Sequence, residues 1–134
     1  MAKLIDIEGI GEVYAQKLKE AGISNLKGLL EKGASPAGRK AIIEKTDISD
    51  SLLLRWINHA DLIRIKGIGG QYSELLEAAG VDSVPELAQR KAEHLFQKIT
   101  ETNAEKKLVR KMPVLAQVEK LIEQAKQLPR VVTH

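Results

Sequence analysis

The stretch IEGIGEVYAQKLKEAGI at residues 7–23 returns as IKGIGGQYSELLEAAGV at residues 65–81. Carried on to residues 30 and 88, the copies agree at 9 of 24 positions: Ile7/Ile65, Gly9/Gly67, Ile10/Ile68, Gly11/Gly69, Tyr14/Tyr72, Leu18/Leu76, Ala21/Ala79, Gly22/Gly80 and Leu29/Leu87. The offset is a constant 58 residues. Every retained position is a glycine or an apolar residue, while the charged positions between them have diverged. A repeat that keeps its turn and core positions and lets its surface drift is a duplicated fold unit. The expected units are residues 1–58 and 59–134, the second with a longer C-terminal helical part.

Around the repeats the spacing is helical throughout. Val13, Tyr14, Lys17, Leu18 and Ala21 share one helical face, and Gly22 stands where a left-handed cap would end that helix. Ser24 is placed to cap the next helix and Gly33 to close it. In ASPAGRKAIIEK, Ser35 takes a cap position and Pro36 the first helical one. Ser49 opens a helix whose apolar stripe is Leu52, Leu53, Trp56, Ile57 and Ala60, and which runs almost directly into the second repeat. There Asp82 or Ser83 caps, Pro85 starts a short helix, and Leu95, Phe96 and Ile99 mark another. ETNAEKKLVRKMP, residues 101–113, reads as an insertion with an extra short helix that ends near Pro113. Val114, Leu115, Val118, Leu121, Ile122, Ala125 and Leu128 line a last helix, stopped by Pro129, before an extended tail, PRVVTH, that the helices either hold down or leave loose. No stretch alternates with period two, so the expected class is all-α, with both units packed into one compact body.

Composition narrows the function. Hydrophobic residues make up 43% and aromatics only 3%, so the core rests on Leu, Ile, Val and Ala. With no cysteine there are no disulfides, thiolate metal sites or cysteine nucleophiles. No apolar run reaches the roughly 20 residues needed to span a bilayer, and the N-terminus has no signal-peptide apolar region. The expected location is therefore cytoplasmic, with no membrane partner. The net charge of +3 is a mild bias towards anions. His59, His94 and His134 are scattered without metal spacing, and Ser35, Ser49 and Ser83 are caps without a paired base. GLLEKGAS lacks the lysine and the preceding strand of a phosphate-binding P-loop. No enzyme activity and no small-molecule substrate are expected.

Each Gly-Ile-Gly sits in a wider pattern: Leu4, Ile7, Gly9, Ile10, Gly11, Ala15, Leu18 in the first copy, and Leu62, Ile65, Gly67, Ile68, Gly69, Ser73, Leu76 in the second. This resembles the helix-hairpin-helix motif, with Ser73 where that family prefers alanine. The resemblance implies two fused helix-hairpin-helix units of the SAM-like, five-helix type. A tight turn between crossing helices favours a glycine able to take positive φ. The second glycine opens the following helix, where unpaired backbone N–H groups and the helix dipole attract negative charge. In the helix-hairpin-helix family this geometry grips the DNA backbone without reading bases, and turn carbonyls can hold a monovalent cation. Over nearly its full length, including LLRWINHADL and LPRVVTH, the chain also resembles a bacterial family, the domain-of-unknown-function 4332 proteins, which brings no established activity.

The expected function is non-enzymatic, sequence-nonspecific DNA binding through hairpin amides and nearby lysines. The second hairpin, with Arg64, Lys66, Gly67, Ile68, Gly69 and the extra Gly70, is the expected working site. The first, with Gly9, Ile10 and Gly11, carries Glu8 and Glu12 beside its glycines, with Lys17 and Lys19 further along. Lys106, Lys107, Arg110 and Lys111 would share one side if helical and form a further phosphate patch; GRK at residues 38–40 is a weaker one. The alternative is a protein-interaction scaffold or adaptor built on the same fold, favoured by Glu8, Glu12 and a tail free to dock as a strand.

Overall fold

In a computed structural model the described residues are 3–7 and 9–133. They form an all-helical chain: a 3-10 turn at Leu4–Asp6, then α1 (Glu12–Glu20), α2 (Leu26–Gly33), α3 (Pro36–Thr46), α4 (Asp50–Ile63), α5 (Gly70–Ala78), α6 (Val84–Ala88), α7 (Ala92–Lys106) and α8 (Leu115–Gln127). None of these helices is long and apolar enough to cross a membrane. The chain separates into two compact units, residues 1–61 with 131–134 and residues 62–130.

Unit 1 is built around Leu18, Ile23, Leu29, Leu53, Trp56 and Ile57, all at or below 2% exposure. α1 ends as Gly22 turns to φ +87°. The cap of α2 is Asn25, whose Oδ1 accepts from the Gly28 amide at 2.7 Å, rather than Ser24. Gly33 is the last helical residue and buried; a Cβ there would strike the Ile57 side chain, so close packing asks for glycine. Gly38, in the first turn of α3, lies as tightly against the Lys32 carbonyl. Ser35 caps α3 through the Gly38 amide at 3.1 Å.

The tail belongs to this unit. Val132 is buried, and the Thr133 amide donates to the Ala34 carbonyl at 2.7 Å. Arg39 is 6% exposed and donates to the carbonyls of Gly33 (2.8 Å), Ala34 (3.3 Å) and Thr133 (2.8 Å). A cation at the C-terminal end of α2 also suits that helix dipole. Arg39 is thus a buried clamp, which removes it from the phosphate patch expected of GRK. It also holds down the tail, the segment that the scaffold alternative would use as a docking strand.

Unit 2 packs Leu62, Ile65, Leu75, Leu76, Val81, Val84, Leu87, Leu95, Ile99 and Val118 into one core. Ser83, not Asp82, caps α6 through the Glu86 amide at 3.3 Å. The expected extra helix is absent: α7 absorbs residues 101–106, Lys107 turns left-handed at φ 52°, and residues 107–114 are non-helical. Asn103 explains the stop. Its side chain accepts from the Val109 amide at 2.9 Å and donates to the Val109 carbonyl at 3.0 Å, so the chain folds back on the end of α7. Phe96 is half-buried against the core, and Val114, expected on the apolar face of α8, is 60% exposed.

Candidate nucleic-acid interface

The two Gly-Ile-Gly turns share one backbone course. Gly9 has φ +94° and Gly67 φ +103°. The next residue, Ile10 or Ile68, is buried at 4% exposure, with its amide on the carbonyl of Ile7 (3.2 Å) or Ile65 (3.1 Å). Gly11 and Gly69 follow in extended conformation, at φ −95°, ψ −170° and φ −105°, ψ −168°, as the N-caps of α1 and α5. Their carbonyls accept from Ala15 and Ser73, each at 2.9 Å. Ser73 fits because it is fully buried with its hydroxyl donating to the Gly70 carbonyl at 2.9 Å.

The glycines of each pair answer to different demands. Positive φ explains Gly9 and Gly67, where an L side chain costs about 1–2 kcal/mol. Gly11 and Gly69 take a conformation open to any residue, and a Cβ at either would meet nothing within 4 Å. Ser, Asp or Asn would cap these helices better, yet neither start has a side-chain cap. The amides of Gly70, Gln71 and Tyr72 accordingly have no hydrogen-bond partner among the described residues. They form a bare donor group at the positive end of α5.

Charge separates the copies. Beside the second turn Lys66 is exposed, with its backbone fixed by Gln124: the Lys66 amide donates to Oε1 at 3.3 Å and Nε2 donates to the Lys66 carbonyl at 3.2 Å. Arg64 is half-buried and donates to the Pro129 carbonyl at 2.8 Å, so part of its guanidinium is committed to the fold. At the first turn the exposed Glu12 is the first residue of α1. Lys17 holds its ammonium 5.9 Å from the centre of the Tyr14 ring, and Lys19 is exposed. Glu8 and His134 lie outside the described residues.

Lys106, Lys107, Arg110 and Lys111 are all exposed, but Lys106 ends α7 and the others follow in non-helical chain, so the shared helical side expected of them does not form. One cationic pair escaped the sequence reading although its signal was there. Lys32 Nζ donates to the Gly22 carbonyl at 3.0 Å, and Arg90 Nη2 to the Gly80 carbonyl at 2.9 Å. The two stand at the repeat offset, and each caps the end of the helix that begins at its own turn. Trp56 and Tyr14 make an edge-on pair 5.0 Å apart, while the Tyr72 hydroxyl donates to the Lys111 carbonyl at 2.6 Å. His59 is fully buried, and no group of acidic and histidine side chains among the described residues could hold a metal ion.

A family model described as Domain of unknown function (DUF4332) matches residues 8–128. The chain belongs to this family. No curated protein and no solved structure matches it. The DUF4332 match reaches from the first turn to the end of α8, so the family's domain contains both copies of the repeat.

Proposed function

We propose that the turn before α5 is the anion site of a helix-hairpin-helix unit, and that the protein binds the DNA backbone through it without reading sequence or catalysing a reaction. The observation that carries this is Gly69. Neither its backbone angle nor its surroundings call for glycine, and its lack of a side chain leaves the α5 amides bare. Lys66 beside them supplies a cation. Phosphate contacts of this kind give affinity and position rather than base discrimination. Contact with about two phosphates implies a log–log salt slope near −1.8, a loss of roughly tenfold between about 50 and 200 mM salt.

The test is fluorescence anisotropy of a short labelled duplex at both salt levels, with Gly69→Asp and Lys66→Glu alongside. Gly69→Asp supplies the missing cap, covers the amides and adds negative charge. Salt-sensitive binding that both variants lose supports the reading. Absence of binding at low salt removes it.

The first turn favours a second reading, a protein-interaction surface. Ile5 is 56% and Val13 70% exposed, whereas the repeat counterparts are the half-buried Ile63 and the polar Gln71. Its measure is self-association by sedimentation, which the double variant Ile5→Ser/Val13→Gln should abolish if this surface joins copies of the chain.

A further inference from the structure

A solvent-open groove of about 510 Å³ lies beside the turn of unit 2, between α5, α7 and α8. Its floor is Leu75, Leu76, Leu95, Ile99 and Val118, which belong to the core of this unit. Half-buried Tyr72 and Leu121 form walls, and Lys66, Gln117, Lys120 and Gln124 stand at the rim. The volume lies in the range of about 300–1,000 Å³ typical of small-molecule sites.

The repeat shows what is missing here. In unit 1 the atom that a Cβ on Gly9 would meet first is Trp56 Nε1, at 3.4 Å; in unit 2 the atom facing Gly67 is Leu121 Cδ2, at 3.5 Å. Leu121 therefore stands under the second turn where the indole stands under the first.

The rim decides what kind of molecule fits. Gln124 is tied to the Lys66 backbone, the Gln117 side chain accepts from the Val114 amide at 2.9 Å, and the Tyr72 hydroxyl is spent on Lys111. The polar groups that remain are donors, the ammoniums of Lys66 and Lys120 and the Gln117 side-chain N–H, and no acidic side chain lines the cavity. We propose that this cavity binds a small amphipathic anion, an alkyl carboxylate whose chain lies on the leucine floor and whose carboxylate meets Lys66 and Lys120. The proposal shares Lys66 with the nucleic-acid reading, but Lys120 and Leu121 have no part in that reading, so variants at those two positions test the cavity by itself.

The test is calorimetric titration of the full chain with dodecanoate, kept below its micelle concentration, against dodecyltrimethylammonium, which has the same chain and the opposite charge. Saturable binding of the carboxylate, at least tenfold tighter than the ammonium, is the expected result. Lys120→Glu should weaken it about fivefold. Leu121→Trp, which restores the residue type of unit 1, should abolish binding while thermal melting stays cooperative. If that variant does not fold, Lys120→Glu carries the test alone. No binding of dodecanoate, equal binding of the ammonium, binding only to anionic vesicles, or unchanged affinity in Lys120→Glu overturns the proposal.

Discussion

The turns before α1 and α5 agree in φ at their first glycines within 9°, from +94° to +103°. What lies beneath and beside them is different. Under the first turn a fully buried Trp56 packs edge-on against Tyr14, and Glu12 opens the helix. Under the second, Leu121 borders a cavity, and Gly70 opens the helix next to Lys66. Duplication has preserved the backbone, which the glycines and the caps enforce, and has freed the side chains that decide packing and charge. On the proposed reading, the first turn serves stability and the second is left open for a ligand.

The largest expected effect tests that contrast directly. Trp56→Ala removes a fully buried indole and should destabilise the protein by about 4 kcal/mol in urea unfolding. Leu121→Ala enlarges a space that already exists, and about 1 kcal/mol is expected. Equal losses would mean that the second turn is as tightly supported as the first.

The tail gives the next effect. Arg39→Ala takes the guanidinium from the Gly33 and Thr133 carbonyls, while Ala34 keeps its bond from the Thr133 amide, and should cost unit 1 about 2 kcal/mol, with faster amide exchange at Thr133. The repeat counterpart Gln97 is exposed, and its side chain donates to Glu101 at 3.3 Å. Gln97→Ala should therefore change stability by less than about 0.5 kcal/mol.

These two cases also show what could be read from the chain. The duplication, the helical class and the caps at Ser35 and Ser83 follow from local spacing and turn chemistry, which act within a few residues. The clamp of Arg39 on Thr133 spans 94 residues, and no local pattern announces it. KKLVRK has helical composition, but the hook of Asn103 on Val109 takes its backbone bonds first. The equivalence of Trp56 and Leu121 was hidden by register. Gly9 and Gly67 are 58 apart while Trp56 and Leu121 are 65 apart, so the longer α7 segment shifts α8 out of the repeat. At the site, the residue types of both turns were legible. Which glycines the fold itself requires was not, because that depends on φ and on open space.

That distinction makes the third prediction. Gly67→Ala should cost about 1–2 kcal/mol, since alanine at φ +103° is strained. Gly69→Ala, which replaces a tolerated N-cap by a poor one without backbone strain, should cost less, about 0.5 kcal/mol. Gly69→Asp should raise the melting temperature slightly and lose duplex binding. A substitution that improves the helix cap and removes the ligand marks a position held open for binding.

The smallest expected effect ranks the two turns against each other. Lys66→Glu reverses a charge beside bare amides and should weaken duplex binding about tenfold, or 1.4 kcal/mol, with the salt slope reduced by about one. Lys17→Glu should weaken it less than about threefold, because the side chain is half-buried and lies away from the helix start. Lys17 also lies over the Tyr14 ring rather than at the helix start, which Glu12 already makes acidic. If the order were reversed, the acidic turn would be the one that meets phosphate. The bareness of the α5 amides would then have to be explained by the neighbouring cavity instead, since Lys66 and Gly67 line that too.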